Sequence, residues 1–515
     1  MKFKLYVRMI SLALIMLAVF NLFAACDGAS SANATNNGKN DAESDINNGT
    51  TEESTVVEAS PDTIGIEKQN YDSELYLWVQ TDCNPGDLYW LEESSGNAMD
   101  EAVYTRQEKV LEYLGVAIKG RKAGSHSEYD ELFKTAVQNK DGSVDLLLTH
   151  VSSGVSGLIQ EGYLRDFQDI DGINLENEHW NHEFMDTLSI DDNYFLGFND
   201  SNILYTYVIA FNKQMLGQLS LEGYSVDNLY EKVLKGEWTI DVFLDLAQKG
   251  FQDKGSGDKH IYGLVGMQWV PWCGFLHSSG INIVEQDESG TYKSVIMNDE
   301  YKEKTASLVD KLKNFSGSGY GQFTFQTGSE HPAARLHNGR ALMELTSTHS
   351  LDNLLDYDIS FGILPYPMFS SDQYDNSSES LGYRSLQWGG NYGIPNYLRN
   401  EIMVGETLEL FAFFSKPVQT TFYEKVLGKQ VSEAPDDARM LDIVWSSVCS
   451  DMGQTFDGKT ALLYLLPKVT WNGNGGQELV SYYATLQSAG NKNLAEFVQK
   501  VKKVAKQQEK LHGQN

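Results

Sequence analysis

Apolar and polar residues alternate with two different periods along the chain from about Tyr71 onward, and each change of period marks a predicted element. Residues 75–79 and 144–149 are nearly continuous apolar runs, typical of strands that are buried on both faces. Between these runs, Asn97 and Ser127 each precede a stretch with apolar residues at helical spacing, which predicts an N-cap followed by a helix. This repeated order of strand and helix predicts an α/β fold in which sheets are flanked by helices.

A second pattern of this kind lies between residues 338 and 355. The apolar run at residues 341–345 ends at a cluster of hydroxyl residues, and leucines at helical spacing follow it. We interpret this as a strand, a polar turn and a helix. In α/β sheets, ligands bind outside the carboxyl ends of the strands. The turn is therefore a predicted wall of a binding site, to which we assign Glu344, Ser347 and His349.

The length and the charge of the chain exclude some classes of partner. With 515 residues, the chain is long enough for two lobes with separate cores. Its formal net charge at pH 7 is −31. Such a charge repels nucleic acid and anionic membrane surfaces, and no lysine-rich or arginine-rich stripe offsets it. We therefore predict no nucleic-acid partner.

The N-terminus has the organisation of an export signal. Basic residues precede an apolar run at residues 9–20, which is too short to be a stable membrane span. The sequence Leu22-Phe-Ala-Ala-Cys26 resembles a lipoprotein cleavage site, which predicts that residues 1–25 are removed and that Cys26 carries a lipid. Residues 26–70 are polar and contain no aromatic residue, which predicts a disordered tether. We expect the protein to be anchored at the extracellular face of the cytoplasmic membrane.

Motifs for catalysis and metal binding are scarce. Cys83, Cys273 and Cys449 lack the spacing of a disulfide framework or a thiolate zinc site, and the ten histidines show no ligand spacing. Residues 453–460 match the phosphate-loop pattern, but no buried strand precedes them, so we expect no nucleotide there. We predict no metal, no cofactor and no enzyme activity, although a catalytic pair among the 71 acidic residues stays open.

Aromatic residues beside glycine or proline form the remaining set of candidates. The apolar faces of sugars pack on indole rings, while sugar hydroxyls bond to polar side chains. Packing in a core is the alternative for each ring, and we choose it for Trp238 because Thr239 is predicted to cap a helix directly after it. The candidates for contact with a sugar are Tyr89, Trp90, Trp269, Trp272 and Trp388, together with His150 after the predicted strand at residues 144–149.

Segments spread over residues 71–506 resemble one known family. Two of them are Asn338-Gly-Arg-Ala-Leu-Met343 and Phe361-Gly-Ile-Leu-Pro-Tyr-Pro367, which follow each other closely. Two more are Ala98-Met-Asp-Glu-Ala-Val-Tyr-Thr-Arg106 and Leu229-Tyr-Glu-Lys-Val-Leu-Lys-Gly-Glu-Trp-Thr239. In type and order these segments resemble the extracellular solute-binding proteins of the maltose-binding type, family 1, of clostridia and bacilli.

The resemblance implies a two-lobed periplasmic-binding-protein-like fold of type II, in which each lobe is a sheet flanked by helices and a hinge lies between the lobes. It implies lobe 1 at residues 71–205 and 392–434, and lobe 2 at residues 206–391 and 435–515. One departure concerns the site, since His349 stands where the family often has a tryptophan.

The resemblance also implies a function. It implies the substrate-binding lipoprotein of an ABC importer, a monomer that captures a carbohydrate, in particular an oligosaccharide, between its lobes and delivers it to the permease. Two other classes stay open, namely a secreted glycan-active enzyme and a surface glycan-binding protein that serves no transporter. An enzyme would turn over a labelled glycan, whereas a binding protein would return it unchanged.

Overall fold

The computed structural model describes the folded part of the chain with several gaps. The described residues are 60–80, 88–152, 154–202, 205–256, 259–267, 269–324, 332–351, 354, 359–427, 435–471 and 477–512. They belong to one compact unit, Ala59–Asn515. The predicted export signal, Cys26, Cys83 and most of the predicted tether lie outside the described residues.

Strands and helices alternate along this unit. The strands are β1 Ser73–Val79, β2 Val116–Lys122, β3 Leu146–His150, β4 Tyr207–Asn212, β5 Tyr262–Met267, β6 Val284–Gln286, β7 Tyr292–Ser294, β8 Gly321–Thr324, β9 Ala341–Ser347, β10 Phe361–Leu364, β11 Ser385–Leu386, β12 Gly390–Gly393 and β13 Val448–Cys449. The helices are α1 Ala98–Leu114, α2 His126–Asn139, α3 Val155–Gln160, α4 His182–Leu188, α5 Lys213–Leu219, α6 Val226–Leu234, α7 Ile240–Gly250, α8 Val270–Ser278, α9 Lys302–Ser318, α10 Pro332–His337, α11 Glu401–Phe413, α12 Lys416–Leu427, α13 Pro435–Ser446, α14 Met452–Thr455, α15 Asp457–Thr460, α16 Leu465–Thr470 and α17 Leu479–His512. Short 3-10 helices are Pro61–Ile64, Phe167–Asp169, His349–Leu351 and Ser371–Gln373.

Two larger sheets organise the fold. The first has the strand order β12-β3-β1-β2, in which β1 is parallel to β2 and β3, and β12 is antiparallel to β3. The second has the order β10-β4-β9-β5-β8, in which β5 is parallel to β8 and β9, and β4 is antiparallel to β9 and β10. Every residue of β3 and β9 is buried, which explains their apolar runs. The predicted α/β class is confirmed.

The predicted helix starts are right to within two residues. The Asn97 side chain accepts hydrogen bonds from the backbone nitrogens of Met99 and Asp100, both at 3.0 Å, so its predicted capping role is confirmed. The predicted cap at Ser127 is wrong. Helix α2 begins at His126, and Ser125 precedes it with the extended backbone that an N-cap requires.

The strand that was predicted to end near residue 345 is longer. β9 continues through Ser347, so the hydroxyl cluster belongs partly to the strand and not to a turn. The Ser347 hydroxyl still acts as a cap, because it accepts a hydrogen bond from the Ser350 backbone nitrogen at 3.2 Å and so starts the 3-10 helix His349–Leu351.

Ordered structure begins earlier than the predicted end of the tether at residue 70. The 3-10 helix Pro61–Ile64 has proline at its first position, where proline is favoured, and Ile66 is buried in the core around the first sheet. The Gln69 nitrogen donates a hydrogen bond to the Tyr113 carbonyl at 3.1 Å. The predicted tether therefore does not extend to residue 70, because residues 60–70 belong to the folded part.

The C-terminal helix α17 joins distant parts of the unit. Its apolar face packs into the core, since Leu494, Phe497 and Val501 are buried. Near its end, the Gln508 side chain donates a hydrogen bond to the Leu164 carbonyl at 2.8 Å. Among the described residues, no helix is long and apolar enough to cross a membrane.

Candidate functional site

A chain of aromatic rings joins strand ends from the two sheets. The ring of His150, the last residue of β3, lies edge-on to Trp388 with the centroids 5.1 Å apart. Trp388 lies 5.9 Å from Tyr207 at the start of β4, and Tyr207 lies 6.5 Å from Tyr205. Tyr205 meets His349, just after β9, at 5.9 Å. We call these five residues the ring chain.

Backbone hydrogen bonds hold Trp388 at the centre of the ring chain. The Trp388 nitrogen donates to the Tyr205 carbonyl at 2.7 Å, and the Val151 nitrogen donates to the carbonyl of Gly389 at 3.0 Å. The segment before β12 is thus fixed both to the end of β3 and to the residues before β4. The Trp388 side chain is 8% exposed.

A small cavity lies at the end of the ring chain nearest to β9. Its volume is about 20 Å³, which is room for about one water molecule. The residues that line it are Tyr205, Tyr207, Met267, Glu344, Leu345, Thr346, Ser347 and Ser350. Hydroxyl groups, one carboxyl group and tyrosine rings therefore converge at the carboxyl ends of β5 and β9, where the sequence predicted a binding wall.

Glu344 contributes the carboxyl group to this lining, and its side chain is 2% exposed. Burial raises the pKa of its carboxyl to about 8, against a hydrogen bond from the Thr346 side chain that lowers it. Its Oε2 atom has no hydrogen-bond partner among the described residues. Burial also raises the pKa of Tyr205 and Tyr207, so both keep their hydroxyl protons at neutral pH.

Two buried amide side chains near His150 were missed by the sequence analysis. Gln80 directly follows β1, and its Oε1 accepts a hydrogen bond from the His150 nitrogen at 3.0 Å. The Gln80 Nε2 atom and both polar side-chain atoms of Asn391 on β12 have no partner among the described residues. The position of Gln80 just after an apolar strand could have identified it. Asn391 carries no such signal, because its strand is only four residues long.

Two predicted residues lie against other parts of the first sheet. The Trp90 ring packs on Gly120 of β2, where a Cβ atom would lie 2.2 Å from the ring, and its Nε1 donates to the Ile118 carbonyl at 3.1 Å. Tyr89 is fully buried, with its ring 6.1 Å from that of Tyr392. Neither residue lines the cavity described above.

Two further predicted residues lie around α8. Trp269 precedes the helix and is partly exposed, with the Lys468 ammonium 4.7 Å from its ring. Trp272 is fully buried, 4.8 Å from the ring of Trp471, and donates a hydrogen bond to the Thr470 hydroxyl at 2.8 Å. The structure thus brings together His150, Glu344, Ser347, His349 and Trp388, and places Tyr89, Trp90, Trp269 and Trp272 outside that group.

The phosphate-loop pattern at residues 453–460 has a different geometry. Its residues form the short helices α14 and α15, and the Gly453 nitrogen donates to Asp451 Oδ1 at 2.5 Å. The other oxygen of Asp451 accepts from the Ile283 nitrogen at 2.7 Å. The Gly453 N–H group, which a phosphate loop would offer to its ligand, is thus bonded to a carboxylate. Within the described part of the chain, no three His, Cys, Asp or Glu side chains cluster as metal ligands, and Cys273 and Cys449 are free thiols.

Three solved structures with a similar fold are described as binding a sugar or as holding one. The cyclic α-maltosyl-1,6-maltose binding protein from Arthrobacter globiformis is 11% identical, with a TM-score of 0.53 over 82% of this chain and 99% of that one. An ABC transporter solute binding protein from Thermotoga lettingae, bound with α-D-tagatose, is 13% identical, with a TM-score of 0.51 over 83% and 100%. An ABC substrate-binding protein from Listeria monocytogenes, in complex with cycloalternan, is 13% identical, with a TM-score of 0.50 over 84% and 98%. These likenesses confirm the two-lobed, periplasmic-binding-protein-like fold.

The family is shown by the sequence itself. No curated protein matches the chain. Residues 108–428, more than half of the chain, match the family model for bacterial extracellular solute-binding proteins. The chain therefore belongs to the bacterial extracellular solute-binding proteins.

Proposed function

We propose that this chain is the substrate-binding lipoprotein of an ABC importer and that its ligand is a carbohydrate, in particular an oligosaccharide. The solved structures with this fold include proteins described as binding cycloalternan and cyclic α-maltosyl-1,6-maltose, which supports this class of ligand. In this proposal the protein is a monomer at the extracellular face of the cytoplasmic membrane and delivers the sugar to the permease. We assign residues 60–205 and 390–434 to lobe 1, since Ile66 and β12 belong with the first sheet, and residues 206–389 and 435–515 to lobe 2.

The ring chain beside the polar cavity is the observation that carries the proposal. Sugar rings have apolar faces that pack on Trp and Tyr rings, and hydroxyl groups that need hydrogen-bond partners. Trp388 and Tyr207 supply such rings, and Glu344 and Ser347 supply partners within the same region. Both kinds of group meet at strand ends, which is the usual place of ligands in α/β sheets.

Ligand entry requires the lobes to move apart in this proposal. The cavity has room for about one water molecule, so a sugar ring cannot enter the conformation described here. Closure around a sugar is then favoured by contacts that the ligand makes with both lobes together.

A glycan-active enzyme is the alternative, and the cavity disfavours it. Most glycosidases use two carboxyl groups on either side of the scissile bond. Among the described residues that line the cavity, Glu344 is the single carboxyl group. Incubation with a labelled glycan and chromatography of the products distinguishes the two functions, since a binding protein returns the glycan unchanged.

The experiment that tests the proposal is a thermal-shift screen of the purified protein, produced without the proposed lipid anchor, against a panel of sugars. A ligand at 100 times its Kd stabilises the folded state by about 2.7 kcal/mol, which is readily detected. We expect at least one oligosaccharide to raise the melting temperature. If no carbohydrate does so while a different class of solute does, the proposed ligand class is wrong.

Truncation of the central ring should weaken binding specifically. We expect Trp388→Ala to lower the affinity for the sugar by about several-fold to a hundredfold, which is about 1 to 3 kcal/mol of lost contact. Calorimetric titration measures this. Trp445→Ala is a matched control, because Trp445 packs on Tyr423 at 4.8 Å between α12 and α13. Equal losses of affinity in both variants would contradict the placement of the site.

The lipid anchor gives a separate prediction. Cys26→Ser removes the thiol that we propose to be lipidated, so the protein should move from the membrane fraction into the medium. Fractionation and immunoblotting measure the distribution, and Cys449→Ser serves as a control that keeps the anchor. Retention of Cys26→Ser at the membrane would contradict the prediction.

A further inference from the structure

Glu344 occupies a position in the second sheet where a charge is poorly tolerated. It lies in the middle strand β9 and is paired with Ala210 of β4 on one side and with Val265 of β5 on the other. Both neighbours are fully buried and apolar. A carboxylate in such surroundings loses its hydration without receiving compensation from its neighbours.

The polar groups around Glu344 do not neutralise it. Among the described residues that line the cavity there is no lysine, arginine or histidine, and the hydrogen bond to the Glu344 carboxyl comes from the neutral hydroxyl of Thr346. Several titratable groups lie on the elements that pack around β9. They are Tyr207 on β4, Tyr262 on β5, Asp241, Asp245 and Lys249 on α7, Cys273 and His277 on α8, Arg335 and His337 on α10, and Tyr205, Arg340 and His349 in the adjoining segments.

Three of the basic side chains in this set make contacts with residues other than Glu344. Lys249 pairs with Asp245 at 2.7 Å, and His277 lies 3.1 Å from Asp451. The Arg335 guanidinium lies over the ring of Tyr262, 5.5 Å from its centroid. Glu344 itself makes no ion pair with a described residue. A buried carboxyl group in this situation keeps its proton.

We propose that Glu344 binds the ligand as a neutral acid. Its protonated carboxyl group donates a hydrogen bond to an oxygen of an uncharged sugar. This inference rests on the proposed function and specifies the ligand chemistry at one position. A protonated carboxyl offers a donor and an acceptor together, which complements a sugar hydroxyl group. The Oε2 atom without a partner, in a cavity with room for about one water molecule, is available for that bond.

The proposal predicts how binding depends on pH. With a pKa of about 8, raised by burial, the carboxyl is mostly protonated at pH 7 and mostly ionised at pH 9. Ionisation removes the donor and leaves a charge beside the ligand. We therefore expect the affinity for a neutral sugar to fall by about tenfold between pH 7 and pH 9, which is the change in the protonated fraction.

The test is calorimetric titration of the oligosaccharide found in the screen, from pH 6 to pH 9, with the whole soluble chain and two variants. Glu344→Met has no donor, so we expect at least tenfold weaker binding at pH 7. Glu344→Gln keeps a donor but cannot ionise, so it should recover most of the affinity lost in Glu344→Met and show no decline toward pH 9. Trp388→Ala should bind weakly but keep the decline with pH, because it leaves the carboxyl group in place.

Two results would overturn the proposal. One is that Glu344→Gln binds as weakly as Glu344→Met, and the other is that the affinity of the unmodified chain rises with pH. The first result would mean that a donor at this position does not hold the ligand, and the second that the ionised carboxylate is the form that binds, as for a cationic ligand. A carbon-13 NMR titration of the empty protein keeps this inference separate from the proposed function. A Glu344 pKa near 4.5 would refute the neutral acid whatever the sugar screen finds.

Discussion

Replacement of Glu344 by glutamine should raise the free energy of unfolding of the empty protein by about 3 kcal/mol at pH 7. Burial raises the pKa of this carboxyl from its ordinary value of 4.5 to about 8. At pH 7 this carboxyl is ionised in the unfolded chain and must take up a proton when the chain folds. Because pH 7 lies about 2.5 units above the ordinary pKa, and each unit corresponds to about 1.4 kcal/mol, this protonation lowers the free energy of unfolding by about 3 kcal/mol. Glutamine has a similar shape and takes up no proton, so the variant avoids this cost.

The raised pKa of Glu344 also sets the direction in which stability changes with pH. A carboxyl group whose pKa is raised in the folded state imposes no cost below pH 4.5, where both states hold the proton. The cost grows as the pH rises, and it is complete above about pH 8, where both states are ionised. Urea unfolding should therefore show a gain of under about 1 kcal/mol for Glu344→Gln at pH 5 and the largest gain at pH 8.

Glu409 is a matched control, because it is an equally buried glutamate with its hydrogen bonds satisfied. It is 0% exposed, and Oε1 accepts from the Trp180 indole and the Asn174 nitrogen, both at 2.8 Å. Oε2 accepts from Asn177 at 2.6 Å and lies 2.7 Å from His179 Nε2. Glu409→Gln should lower the free energy of unfolding by about 3 to 5 kcal/mol, as expected when one partner of a buried pair is lost. Losses of similar size in both variants would contradict the view that Glu344 is destabilising.

Trp272→Ala should cost about 3 to 5 kcal/mol of stability and leave the affinity of the folded fraction unchanged. The ring is fully buried and lies 5.0 to 5.3 Å from the rings of Phe323 and Phe275. Its loss creates a cavity and also leaves the Thr470 hydroxyl without the indole that donates to it. Urea unfolding and calorimetric titration of the same sample measure the two effects separately.

Trp388→Ala is the matched variant for Trp272→Ala, since both remove an indole that the sequence assigns to a sugar cleft. The expected difference lies in binding, since Trp388→Ala should lower the affinity and Trp272→Ala should not. If Trp272→Ala weakened binding at unchanged stability, its role would be contact with the ligand and not packing. The placement of Trp272 in the core favours the packing alternative that the sequence analysis left open.

Helices and strands whose apolar residues recur at a regular spacing could be predicted from the sequence. Which aromatic side chains lie in the core and which lie beside the cavity could not. Local patterns specify α1 and β3, because their apolar spacing and the cap at Asn97 depend on neighbouring residues. Trp272 and Trp388 both stand beside glycine or proline, so local sequence cannot separate them. Their environments are set by residues far away in the chain, Trp471 in one case and His150 in the other.

The protonation state of Glu344 also lay beyond the sequence. Its apolar neighbours on β4 and β5 are more than 70 residues distant along the chain, as the pairing with Ala210 and Val265 shows. Sequence patterns report the residue type, whereas the pKa depends on which groups surround the carboxyl in three dimensions. The end of the strand that carries Glu344 could be predicted to within about two residues, because the end of an apolar run is a local signal.

The hydrogen bond between Gln508 and Leu164 joins residues that are 344 positions apart. A contact of this range cannot form until the 344 positions between Leu164 and Gln508 have been synthesised. Contacts between distant residues slow folding, since the intervening loop must be closed before they contribute. The first sheet is therefore complete in sequence at Gly393, long before α17 becomes available to pack against α3. Because a chain is synthesised from its N-terminus, native packing around Leu164 can be completed only after the last turns of α17 have been made.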